Sequence, residues 1–141
     1  MAARRLNWQV DLEYWSREQL GRPFVWGETD CHALVTRAYA VIYGACPLAP
    51  TWTTRREAVR LRDAGWVGED GLRRLGARSL HGEVGYAQPG DVILEPTRPF
   101  DALLIAIGRN RFLTSWYARP VDYVISQQLA TDATLWRFID G

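Results

Sequence analysis

The chain contains no lysine. All 17 of its basic residues are arginine, set against 16 acidic residues for a formal net charge of +1. A GC-rich coding sequence accounts for the arginine bias. The near-cancellation of charge excludes the strong basic field that holds nucleic acid at physiological salt. Long hydrophobic runs are missing too: the longest, Ala102–Ile107, falls far short of the ~20 residues that span a bilayer, so no membrane insertion is expected. The first residues, Met1–Trp8, carry charge with no apolar run behind them, so no secretory signal is expected and synthesis is placed in the cytoplasm. Cysteine and histidine are scarce, at two each. A mostly helical path between Cys31 and Cys46 separates them by roughly 20 Å, beyond the ~7 Å reach of a disulfide. Together with His32 and His81 they form no recognised zinc spacing. Neither a metal nor a cofactor is expected.

What is present suits one globular domain over residues 1–141, with 48% apolar and 23% charged residues. Asp11 is placed to cap a helix over 12–20 that stops at Gly21. Arg22-Pro23 breaks the chain, and Phe24-Val25-Trp26-Gly27 reads as an extended approach. Thr29 or Asp30 caps the clearest helix, which runs to about Tyr43 and ends at Gly44. Its apolar positions 31, 34, 35, 38, 39 and 42 follow the i, i+3, i+4, i+7 stripe. Thr54 with Glu57 forms a capping-box pattern for a third helix ending before Gly65, and a short fourth helix covers about 69–75. The period then changes. Asp91–Glu95, Ala102–Ile107, Arg111–Trp116, Tyr123–Gln127 and Thr134–Ile139 are β-rich runs, with Pro89-Gly90-Asp91 a turn into the first and Gly108-Arg109-Asn110 a hairpin link. Helices first and antiparallel strands second reads as α+β.

Seven tryptophans are many for 141 residues. Core packing explains a tryptophan adequately, whereas tryptophan together with arginine is also the signature of a protein interface. The segments Ala2–Trp8, Pro47–Trp52 and Trp116–Pro120 lie outside the core stripes and are the candidate docking surfaces.

Cys31 opens the clearest helix. There the unsatisfied N–H groups and the positive end of the macrodipole favour a thiolate, and so a nucleophile. The competing reading is a small buried hydrophobe at the head of the apolar stripe.

The order Trp26-Gly27-x-x-Asp30-Cys31, a helix, then Pro89-Gly90-Asp91 and paired strands resembles the NlpC-type cysteine peptidases over roughly residues 8–139. These are papain-like enzymes that cut peptide stems of the bacterial cell wall. The charged helix from Thr54 and the closing run Leu135-Trp136-Arg137-Phe138 most resemble the small phage-tail branch. The resemblance implies a papain-like α+β fold, an antiparallel sheet of about five strands, and Cys31 as the nucleophile if the chain is active. In active members a histidine begins the strand after the Pro-Gly-Asp strand and serves as the base. Here Ala102 aligns best with it and Asp101 lies beside it. Alanine offers no base, and a carboxylate near pKa ~4 is a poor acceptor from a thiol near ~8.5.

His32 follows Cys31 about 100° round the helix, so its ring is expected to point away from the sulfur, as a polar surface or loop-packing group. His81, in the Ser79–Gly82 loop, is a weak substitute base. Three functions compete. One is a tail-tip or baseplate assembly protein with a degenerate peptidase fold, located in the virion and contacting other tail-tip and hub proteins. Another is a virion-delivered peptidase that acts on peptidoglycan. The third is a cytoplasmic binding module unrelated to virions.

Overall fold

The computed structural model describes residues 3–46, 50–80, 84–108 and 110–139. Met1, Ala2, Pro47–Ala49, His81, Gly82 and Arg109 of the segments singled out above lie outside the described residues.

The second helix forms where the apolar stripe places it. α2 spans Cys31–Tyr43, with the Asp30 side chain accepting from the Ala33 N–H at its start and Gly44 in the left-handed region at its end. Its Leu34, Val35, Ala38 and Ile42 are buried in the main core. α1 spans Trp8–Gln19, four residues earlier than the Asp11 cap implies. Two features move the start: Asn7 adopts a left-handed conformation, and the Arg5 N–H donates to the Ile42 carbonyl, tying the arm to α2. Asp11 then falls in the first turn, where the helix dipole favours a carboxylate. α3 (Arg55–Asp63) is capped by Thr54, and α4 (Gly68–Arg74) is a two-turn helix.

Six strands make one antiparallel sheet: β1 (Ala77–Leu80), β2 (Val92–Glu95), β3 (Ala102–Gly108), β4 (Arg111–Thr114), β5 (Asp122–Val124) and β6 (Thr134–Phe138), in spatial order β1-β6-β2-β3-β4-β5. The α+β architecture is as expected, with one strand more. β1 falls partly in what reads from sequence as a loop. Its alternation is weak, and pairing with β6 from Ala77↔Phe138 to Leu80↔Leu135 is what makes it a strand. The run expected to continue from Tyr123 to Gln127 ends at Val124 and gives way to a 3-10 turn over Ser126–Gln128.

β3 is buried on both faces, which explains its unbroken apolar run. Leu103, Ile105 and Ile107 join the α2-side core. Leu104 and Ala106 join a second cluster with Ile93, Phe112, Val124 and Leu135. This alternation gives Asp101, just before the strand, the parity of the face that meets α2.

Candidate functional site

The turn before α2 is built around one carboxylate. Asp30 Oδ1 accepts from the Ala33 N–H at 2.9 Å. Its Oδ2 accepts from the Gly27 N–H at 2.6 Å and from Trp52 Nε1 at 2.8 Å. Gly27 sits at φ +79°, and a Cβ there would lie 1.7 Å from the Trp52 carbonyl oxygen. The Trp-Gly-x-x-Asp spacing is therefore a capping device that locks the chain against residue 52. Thr29 adds to it, its hydroxyl accepting from Val25 N–H and donating to the Pro23 carbonyl.

This device sets Cys31 as the first residue of α2, against the start of β3. Sγ accepts from the Leu103 N–H at 3.4 Å, and the thiol is directed at the Asp101 carbonyl, 3.9 Å away. Burial pushes the thiol up from 9.0 to about 12, and the neighbouring Asp30 charge adds to the rise. This favours the neutral thiol over the thiolate that a helix N-terminus promotes. The favourable backbone donors are outweighed by removal from water and by an adjacent anion.

His32 is buried, and the surface alternative does not hold. Its Nδ1 accepts from the Gly68 N–H at 3.0 Å, so in the neutral ring the proton sits on Nε2, which donates to the Asp101 carbonyl at 3.2 Å. The imidazole thereby joins α2 to the start of α4 and to the loop before β3. Burial lowers its pKa, against the opposing pull of Asp30 and Asp101, so it stays neutral.

Ala102 is the first residue of β3, opposite Glu95, and is buried at the edge of the cleft beside Cys31. The Asp101 carboxyl lies against Gly68 at the start of α4, and burial raises its pKa, against the pull of His32. The site thus brings together Cys31, His32, Asp101 and Ala102, and among the described residues no imidazole other than that of His32 is present.

The cleft itself, about 300 Å³, went unread in the sequence. Phe24 packs edge-on against Trp26 and Tyr117, with ring centroids 4.8 and 5.6 Å apart, and Trp26 approaches Phe100 at 5.8 Å. The available signal was the aromatic pair in Phe24-Val25-Trp26 together with Phe100 beside Asp101. Trp52, in an expected docking segment, is buried on Asp30. Among the described residues no group of three or more His, Cys, Asp or Glu side chains could hold a metal ion.

Among the described residues, four helices and an antiparallel sheet, with a cysteine heading the helix that packs against the sheet, make an α+β papain-like fold of NlpC type. A solved structure, NlpC2 from Trichomonas vaginalis, is similar with a TM-score of 0.53 at 16% identity, over 97% of this chain and 51% of that one. This chain therefore spans about half the length of that protein, and the likeness concerns the fold. The family model described as "Domain of unknown function (DUF6950)" matches residues 3–136, and the chain belongs to that family. No curated protein matches it.

Proposed function

We propose that this chain is a non-hydrolytic NlpC-type domain that serves as an assembly component of a phage tail tip or baseplate. The observation that carries the non-hydrolytic half is the occupancy of the His32 ring. Nδ1 holds Gly68 and Nε2 holds the Asp101 carbonyl, while Ala102 stands where the resemblance places the base. A neutral thiol at about 12 with no free imidazole beside it among the described residues is a poor nucleophile.

The tail half draws on the order of motifs that resembles the phage-tail branch, and on an apolar stripe left on the surface. Leu6, Val10 and Tyr14 repeat every fourth residue along the arm and α1 and are 88%, 54% and 63% exposed. Such a stripe suits burial against a neighbouring subunit.

Two experiments test the halves separately. Purified protein incubated with a peptidoglycan stem peptide is expected to give no cleavage, and turnover abolished by Cys31→Ala would overturn that half. Val10→Glu with Tyr14→Glu is expected to block incorporation into tails while leaving the melting temperature nearly unchanged. Normal incorporation would overturn the assembly half.

An active peptidase, delivered by the virion with Cys31 as nucleophile, is the second reading. It is favoured by one observation, that Cys31 lines an open cleft. If cleavage appears, loss of activity in only one of His81→Ala and Asp101→Ala identifies the substitute base.

A further inference from the structure

The lining of the cleft beside Cys31 sorts into two tiers. In the floor, the polar side chains are already partnered within the protein. Asp30 takes three N–H donors, and Cys31 lies between Leu103 N–H and the Asp101 carbonyl. Both His32 nitrogens are engaged, and Ser115 donates to the Thr29 carbonyl. A polar group entering here sheds its water and gains no replacement, which costs the full desolvation of that group. A peptide, with a donor and an acceptor on nearly every residue, fits such a floor poorly. The surface on offer is apolar: Ala58, Val67, Ala102 and the rings of Trp26 and Phe100.

The mouth differs. Arg98 is exposed, lines the cleft, and makes no side-chain hydrogen bond or ion pair among the described residues; it is also the only arginine in the lining. Beside it, the Trp116 indole N–H and the Tyr117 hydroxyl are likewise without an intramolecular partner among the described residues. The acidic group on that side, Asp101, turns its carboxyl toward Gly68 at the start of α4, its Oδ2 3.1 Å from where a Cβ would stand there. A donor-rich, cationic rim above a satisfied apolar floor selects for a ligand with an apolar body and an anionic end.

The geometry points to this cleft as a binding site for an aliphatic carboxylic acid, its chain lying on Val67 and the Trp26–Phe100 rings and its carboxylate meeting Arg98. This site rests on the non-hydrolytic reading of the same cleft. The two fail separately: stem-peptide turnover overturns that reading, whereas carboxylate binding is measured without turnover.

The full chain is titrated with decanoate and, in parallel, with decyltrimethylammonium, following tryptophan fluorescence and calorimetric heat. Decanoate is expected to bind with Kd on the order of 0.1–1 mM, as befits a ligand of few heavy atoms, and at least about tenfold more tightly than the cation. Arg98→Gln is expected to weaken decanoate about tenfold and to erase the preference. Val67→Phe is expected to abolish binding by filling the cleft. Because Val67→Phe strains the buried start of α4, intermolecular NOEs from decanoate methylenes to the Trp26 and Phe100 rings in the unaltered protein give an independent readout. Equal binding of the two amphiphiles, an unchanged affinity in Arg98→Gln, or absence of those NOEs would each overturn the assignment. So would a peptide with a C-terminal leucine that binds tenfold more tightly than decanoate, since it would make the natural occupant a polypeptide.

Discussion

Asp91 and Arg137 form a two-pronged ion pair across the middle of the sheet. Arg137 Nε donates to Asp91 Oδ1 and Nη2 to Oδ2, each at 2.9 Å, and Oδ2 also accepts from the Gln88 N–H. The aspartate side chain is 2% exposed, so its charge depends on this one guanidinium. The Pro-Gly-Asp turn and the Leu-Trp-Arg-Phe run, 46 residues apart, are therefore two halves of one contact.

Arg137→Leu is expected to cost about 3–5 kcal/mol, because it strands a buried carboxylate. Adding Asp91→Asn to that variant should restore part of the loss, so the two effects fall well short of additive. Urea denaturation of the four proteins in the cycle measures this. Strict additivity would mean that the pair is uncoupled.

Cys31 should be slow to alkylate. With its thiol pushed up to about 12 rather than 9.0, the thiolate at pH 8 is scarcer by about a thousandfold in the folded chain than in the unfolded one. Iodoacetamide labelling in a Cys46→Ser background, with and without denaturant, gives the ratio. Labelling rates within tenfold of each other would contradict the half-buried, neutral thiol.

The lowered pKa of His32, caused first by burial, fixes a direction for acid sensitivity. A depressed folded value means that the unfolded chain takes up the proton first. The stability from this residue is thus complete above the ordinary value of 6.5 and is lost as pH falls below it toward the folded value. His32→Gln should lose about 1–3 kcal/mol at pH 7.5, since the Gly68 and Asp101 backbone groups lose well-placed partners. Its melting temperature should also fall less than that of the unaltered protein between pH 7.5 and 5.5. A parallel pH profile in the two proteins would assign the acid sensitivity elsewhere.

Gly27 and Gly21 both have positive φ, +79° and +78°, but only Gly27 has a backbone oxygen where a Cβ would stand. Gly21→Ala should cost about 1 kcal/mol from backbone strain alone. Gly27→Ala must in addition displace the Trp52 carbonyl, and is expected to cost about 3 kcal/mol or more. Thermal melts compare the two. Similar losses would show that residue 52 yields freely.

Local features were legible where the residues that decide them are neighbours. The α2 stripe, the Thr54 and Asp30 caps and the apolar run of β3 are short-range patterns, and the elements follow them within a residue or two. The site resisted reading because its chemistry is set from a distance. The acidity of Cys31 depends on Leu103 and on burial under β3. The fate of His32 depends on Gly68 and Asp101, neither of them close in sequence. β1 is a strand through β6, and Trp52 is buried through Asp30. Helical spacing placed the His32 ring off the Cys31 face, but nothing in that spacing told what the ring would meet there.

The place of β6 between β1 and β2 has a consequence for the order in which the sheet is made. β2, β3, β4 and β5 neighbour one another in chain order and can form a meander as they leave the ribosome, with α1 and α2 already available to cover β3. β1 emerges before all of them yet has no strand to pair with until Thr134–Phe138 has been synthesised. Until then the outer edge of β2 and the whole of β1 stay open, and the Asp91 carboxylate waits for its guanidinium. A chain truncated after residue 133 should therefore hold a four-stranded intermediate that is easily cleaved by protease in the segment from α4 to β2, and adding a peptide of the β6 sequence should close it.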